Sequence, residues 1–345
     1  MMKRLLSLFL MICMLSAFAY AEGFTYSQQS VTDSAKTMSR YDAFYESGEM
    51  SVLIPGLKEH FVPQGVSYLP EKNWFIFSGY SGMEYNSPIL AVDAETGLLV
   101  KEVMLKYQDG SPYIGHAGGI AVTEKNIFIA NSGYLWRISL EKFLSLPESS
   151  ECPFEELIPI PSRASYCTYS GGILWVGEFQ YSGYPTDESH YIQTEDGEHK
   201  AWIIGYELDE TQESELKESA RSAALAIPDY ILTTTNRIQG MTMKDGLIYL
   251  SQSYGRKNAS TMLKYRSPLN EEPFGYSEVH GVKVPMWSLT SSKLEDKLTM
   301  PPASENLVVK DDAVYVLFET AASIYMMGGN RSSNPIDRLF RMTGF

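Results

Sequence analysis

Cysteine is scarce in this chain: 345 residues carry three, and histidine occurs only five times. No Cys-x-x-Cys pair is present and no histidine lies near the cysteines, so a cysteine-ligated metal centre is not expected. Basic residues are short as well, with 28 Lys and Arg against 42 Asp and Glu, a formal charge of −14. That balance argues against a sequence-independent hold on nucleic acid or anionic lipid. Beyond the N-terminus no stretch approaches the roughly 20 apolar residues of a membrane span. No nucleophile–base pair is recognisable either. Disorder is excluded in turn, because 44% of the residues are hydrophobic.

What is abundant is turn-forming and aromatic: 26 Gly, 17 Pro and 23 Tyr, a composition that favours strands over helices. The N-terminus reads Met1-Met2-Lys3-Arg4, an apolar run from Leu5 to Phe18, then Ala19-Tyr20-Ala21. A positive start, a short apolar stretch and a small-x-small site are those of a secretory signal, with cleavage expected after Ala21. A lipoprotein site at Cys13 is set aside, because Ile12 is too large for the position before it. The expected organisation is a signal at 1–21, an N-terminal extension at 22–48 and one domain at 49–345, in a secreted or extracytoplasmic protein. Export leaves Cys152 and Cys167, an even pair for which one disulfide is expected, with two buried free thiols as the alternative.

One pattern recurs five times along the domain. A polar link enters a first strand, a tight turn follows, and a second strand returns. The links and first strands include Val62-Pro63-Gln64-Gly65, Gly115-His116-Ala117-Gly118-Gly119, Arg163-Ala164-Ser165-Tyr166, Arg237-Ile238-Gln239-Gly240 and Ala303-Ser304-Glu305-Asn306. The second strands are built around Phe75-Ile76-Phe77, Ile127-Phe128-Ile129, Leu174-Trp175-Val176, Ile248-Tyr249-Leu250 and Val314-Tyr315-Val316. Gly-Gly, Asp-Gly and similar turns join them. A third strand follows each copy, and Val92-Asp93-Ala94-Glu95-Thr96-Gly97 hands the first unit to an outer strand at 99–105. Units of about four strands repeated five times predict an all-β, five-bladed β-propeller, six blades being the alternative. The last unit has only three strands of its own. The segment Met50-Ser51-Val52-Leu53-Ile54 is therefore expected to complete it and close the ring. The stretch 210–226, rich in Glu, Ala, Ser and Lys, is expected as a short surface helix or charged loop.

Aligning the units puts Gln64, Gly118, Ser165, Gln239 and Glu305 at one equivalent position, with His116, Arg163 and Arg237 two residues earlier. The second strands deliver Glu178 and Glu319 to the same face. A candidate ligand site follows at the channel mouth: Gln64, His116, Arg163, Glu178, Arg237, Gln239, Glu305 and Glu319. Structural ion pairs among these Arg and Glu residues are the alternative. The long insertion 181–200 is expected to overhang the mouth as a lid.

Pro63-Gln64-Gly65-Val66, Gly115 to Val122, Leu174-Trp175-Val176-Gly177-Glu178-Phe179 and Gln239-Gly240-Met241 resemble a family of exported bacterial propellers without an assigned activity. The Asp-Ala-Glu-Thr-Gly turn is similar, more distantly, to those of YVTN-type propellers. The regucalcin and lactonase propellers are the nearest enzymatic analogy. That resemblance implies calcium at the mouth, with Glu178, Glu305 and Glu319, helped by Asn131, Asn236 or Asn306, as ligands and His116 as base. Gln64 stands where that family places a Glu. Three functions follow as expectations: capture of a small polar or anionic molecule, calcium-dependent hydrolysis of lactones or esters, and a structural or protein-interaction role. No nucleic-acid partner is expected.

Overall fold

The computed structural model describes residues 24–32, 39–82, 85–220, 225–327, 331–332 and 334–345. The expected signal at 1–21 lies outside them. A short helix, α1 (Asp42–Glu46), precedes strand β1 (Gly48–Leu53). Blade one follows, as β2 (Phe61–Leu69), β3 (Trp74–Ser81), β4 (Pro88–Asp93) and β5 (Leu99–Lys106). Blade two is β6 (Gly119–Val122), β7 (Asn126–Asn131) and β8 (Tyr134–Ser139). Before its outer strand β10 (Glu156–Pro159), the chain detours through β9 (Ser149–Pro153), which lies parallel to β5 on blade one. Blade three holds β11 (Ala164–Ser170) and β12 (Ile173–Glu178). The small hairpin β13 (Ile192–Thr194) and β14 (Gly197–His199) then precedes β15 (Ala201–Glu207) and β16 (Tyr230–Thr234). Blade four is β17 (Ile238–Lys244), β18 (Leu247–Gln252) and β19 (Ser260–Arg266). A hairpin, β20 (Gly275–Val279) with β21 (Val282–Ser288), leaves to extend blade three through a parallel β16–β21 contact before β22 (Leu294–Met300) returns to finish blade four. Blade five is β23 (Ser304–Lys310), β24 (Ala313–Phe318) and β25 (Arg338–Met342).

Strand β1 seals the ring. It runs antiparallel to β25, with Gly48 opposite Met342 and Met50 opposite Phe340. The inner strands β2, β6, β11, β17 and β23 each touch the next, and β23 touches β2, so five blades close without a gap. The hairpin turns carry the expected chemistry: Gly171-Gly172 and Asp245-Gly246 both show positive φ at two successive residues, the twist a two-residue hairpin needs.

The core lies between blades, in five clusters, one per seam. Val66, Phe77 and Leu90 meet Val308, Tyr315 and Leu317 between blades one and five. Ile76, Ile89 and Val103 of blade one meet Ile120, Ile127 and Ile129 of blade two. Successive residues of one strand therefore serve different seams, which explains why these strands read as continuous apolar runs rather than alternating ones. Helix α1 adds Phe44 to the seam between blades four and five, stacked on Phe340 at 4.0 Å.

Two sequence expectations change, and a third, the helix or loop at 210–226, is decided between its alternatives. Cys152 sits on β9 and Cys167 on β11; both thiols are free and buried, in different seams. No disulfide joins them, because the residues between are not a free loop: β9 docks on the outside of blade one while β11 is the innermost strand of blade three. Burial raises the pKa of both thiols, which suits packing rather than reactivity. Melting temperatures with and without a thiol reductant are accordingly expected to coincide. The stretch 210–220 is a turn-rich strap with only a three-residue 3-10 turn at Glu218–Ala220, and residues 221–224 fall outside the description. Its buried Glu215 anchors it to blade two through Asn126 Nδ2 at 2.8 Å and the Thr123 hydroxyl. The insertion 181–200 does not lie across the mouth as a lid. After Tyr184 it folds over blade three, where His190 stacks on Trp202 at 3.8 Å and Asp196 accepts from Ser291.

Candidate functional site at the channel mouth

Each inner strand must turn into the ring within one or two residues of its entry. The pairing register slips by one between Pro63 and Gly65, between Ala164 and Tyr166, and between Ile238 and Gly240. It slips again between Ser304 and Leu307. A bulge leaves a residue unpaired and re-aims its side chain, and the residues so released are Gln64, Ser165, Gln239 and Glu305-Asn306. In blade two Gly118 holds the equivalent place just before β6. Glycines beside the bulges let neighbouring inner strands nearly touch. A Cβ on Gly119 would lie 2.3 Å from Cys167 N, and one on Gly240 would lie 2.5 Å from Asn306 Cα. One residue deeper than Glu305, Asn306 is fully buried and its Nδ2 donates across the axis to the Cys167 carbonyl at 3.0 Å. That bond links blade five to blade three.

Above it sit two carboxyls, Glu305 from β23 and Glu319 from the loop after β24. Glu305 is 3% exposed. Its Oε1 accepts from Gln239 Nε2 at 3.3 Å, and Glu319 Oε2 accepts from Gln64 Nε2 at 2.8 Å. Blades four and one thus each supply a neutral amide to one acid. Burial, and then the charge of Glu319, push Glu305 well above the usual carboxylate range. Burial likewise pushes Glu319 up to about 7, with Gln64 and Arg256 pulling the other way. Two neighbouring acids do not both ionise readily, so each favours the protonated form of the other.

Aromatic groups wall the pair. The hydroxyls of Tyr80 and Tyr325 hydrogen-bond to each other. Burial, and then the charge of Glu319, push Tyr80 up to about 12. His116 packs against Tyr80 with ring centres 4.6 Å apart. Its residue is exposed at the mouth, and the protein atoms around it push its imidazole below the ordinary value. Arg256 lies 3.6 Å over the Tyr325 ring and forms no ion pair with either acid among the described residues.

The remaining candidates lie on the rim or inside blade three. Arg163 stacks 3.4 Å over Tyr184 and donates to the Pro185 carbonyl at 2.7 Å. Arg237 stacks 4.5 Å from the centre of Tyr254, on a backbone held at φ +66°. Phe179 and Tyr181 link these two rings, so an aromatic band runs along the rim from one arginine to the other. Glu178 is fully buried and engaged within blade three, accepting from the backbone N–H of Arg163 and of Trp202, both at 2.9 Å, with His190 Nδ1 at 3.0 Å. It does not join Glu305 and Glu319. Asn131 donates to Tyr113 and Asn306 spans the axis. The ligand set sketched for calcium is therefore not gathered at one point, and no group of three His, Cys, Asp or Glu forms a metal-binding cluster among the described residues.

Sequence alignment of the units located Gln64, His116, Gln239, Glu305 and Glu319, which the structure brings to one mouth. It missed Tyr325 and Arg256. Both lie in loops leaving second strands, and carrying the alignment a few residues further into those loops would have found them. A wide cleft of about 760 Å3 lies elsewhere, at the seam of blades two and three, bordered by His190, Trp202 and the β20–β21 hairpin. It is an open groove whose acid–histidine pair is already satisfied, whereas the acids of the mouth hydrogen-bond to amides among the described residues.

No family model matches the chain, and no curated protein matches it. Solved structures do. The chain is similar to the GH43_1 enzyme from Xanthomonas citri complexed with xylose, at 10% identity over 88% of this chain and 92% of that one, with a TM-score of 0.45. It is also similar to the glutaminyl cyclase of Myxococcus xanthus, at 11% identity over 85% and 94%, with a TM-score of 0.39. Against the hydrazine synthase of Kuenenia stuttgartiensis it is 11% identical, with a TM-score of 0.34, and spans 55% of that chain's length. At such distances the likeness concerns the fold alone. No helix among the described residues is long and apolar enough to cross a membrane.

Proposed function

We propose that this chain is an exported propeller whose channel mouth binds a small polar ligand. The observation that carries the reading is the Glu305–Glu319 pair, one acid buried and one half-buried, whose hydrogen-bond partners among the described residues are the amides of Gln239 and Gln64. Buried acids are normally matched by cations or several donors. Here the remaining oxygen capacity and the rings of Tyr80 and His116 face a common mouth. An anionic ligand is the poorer fit, since its charge would meet two acids while Arg163 and Arg237 lie on the rim against their own tyrosines. A thermal-shift screen of small sugars, polyols and amino alcohols tests the reading. A ligand that raises the melting temperature of the wild type is expected to do so far less in Gln64→Ala/Gln239→Ala. No response to any of them, or an equal response in the variant, would count against it.

A second reading rests on the retained proton. One carboxyl that stays protonated at neutral pH beside one that ionises can serve as general acid and its partner in hydrolysis. Release of nitrophenol from aryl glycosides or aryl esters, lost in Glu319→Gln, is the result that would favour it over simple capture.

A further inference from the structure

We propose that the ligand of the mouth is a small organic cation, an ammonium whose charge lies against Glu305 and Glu319 and whose apolar body lies against Tyr80, His116 and Tyr325. The inference rests on the reading above and narrows it to one chemical class.

Three independent observations point to it. First, no ion pair of either acid is seen among the described residues, although Glu305 is buried and Glu319 half-buried. Their hydrogen-bond partners are amide nitrogens, which bring no charge, and Arg256 acts on Glu319 only from beyond ion-pair distance. A ligand carrying positive charge adds what one more distant arginine supplies only in part. Second, the wall is aromatic, and ring faces attract cations most strongly where water is excluded. The protein shows this preference itself, since Arg256 rests at 3.6 Å on Tyr325. Third, the chain as a whole carries a formal charge of −14, which raises the local concentration of cations at its surface.

A metal ion fits less well than an ammonium. Calcium takes about 6–8 oxygen ligands. Here Gln64 and Gln239 turn their nitrogens, not their oxygens, toward the carboxyls. Those amide donors hold the acids apart from a hard ion but leave them able to accept from an N–H or to face a methylated nitrogen. A neutral sugar would satisfy hydrogen bonds yet leave the acid pair uncompensated.

The test is calorimetric titration of the whole mature protein at pH 7 with choline, its uncharged isostere 3,3-dimethylbutan-1-ol, calcium chloride and arabinose. Choline is expected to bind at least about tenfold more tightly than the isostere. Glu319→Gln is expected to remove about that tenfold preference, while Gly275→Ala, on the outer hairpin of blade three, keeps it. Melting curves show whether each variant is folded, and Gln239→Ala supplies a second probe of the acid pair if Glu319→Gln is not. Equal affinity for choline and its isostere overturns the inference. So does binding of calcium alone that is lost in Glu319→Gln, which would assign a metal site. Binding of arabinose without choline overturns the cationic class and leaves the mouth as a polar site. Silence of all four probes counts against the cation and against the mouth as a ligand site together.

Discussion

Gly240→Ala is expected to destabilise the protein by about 3 kcal/mol or more, a large effect for one methyl group. The added carbon would stand 2.5 Å from Asn306 Cα and 2.8 Å from the Glu305 carbonyl oxygen. Both are backbone atoms of the next blade's inner strand, so no rotamer change relieves the clash. Blades four and five would have to separate at the axis, and the Asn306 bond to Cys167 would stretch with them. Gly275→Ala is the matched control, because the nearest atom to its new carbon is the flexible end of Met286 at 3.8 Å. It is expected to change stability by less than about 0.5 kcal/mol. Denaturant melts of the two variants check the pair. Similar stabilities would mean that the inner strands are not packed at the axis as described.

The same glycine shows what was legible in the sequence. Gln64-Gly65, Gly118-Gly119 and Gln239-Gly240 stood out because close approach at the axis leaves room for nothing larger, and that constraint acts on single positions that can be read in a line of text. The five hairpins and the closing strand β1 were legible for a related reason: strand-turn-strand chemistry is local, and a three-strand last unit needs a fourth. The additions to blades one and three were not. Strand β9 and the β20–β21 hairpin pair in parallel with strands far away in the chain, and nothing local specifies which edge they join. The cysteines misled for the same reason, since closeness in sequence says little when the segment between belongs to two different blades. Among the candidates for the mouth, Glu178 matched Glu319 as an acid at the end of a second strand. Its backbone partners in blade three, set by the insertion after Tyr181, turn it away, and the alignment carries no signal for that.

Glu319→Gln is expected to raise the melting temperature by about 3 °C at pH 8 and to leave it nearly unchanged at pH 4. Glu319 titrates at about 7 in the folded protein against an ordinary 4.5. The folded state therefore binds more protons than the unfolded state between these values, and stability falls as pH rises through that window. The favourable contribution is present in full below about pH 4.5 and is lost above about pH 7. With allowance for the water that reaches Glu319, the loss is on the order of 2 kcal/mol. A glutamine has no proton to lose, so the variant escapes the decline while its carbonyl still accepts from Gln64. Melts of both proteins from pH 4 to pH 8 check the divergence. A variant less stable than the wild type at pH 8 would show instead that Arg256 matches the carboxylate well enough to outweigh its burial.

The most direct measurement is of the proton itself. Infrared difference spectra between wild type and Glu305→Gln at pH 7 read whether a protonated carboxyl is present. A carbonyl band of a carboxylic acid that is seen in the wild type, absent from the variant and shifted by no exchange of surface acids is the result expected of two neighbouring acids in one recess. Spectra in which every carboxyl is ionised at pH 7 would contradict it.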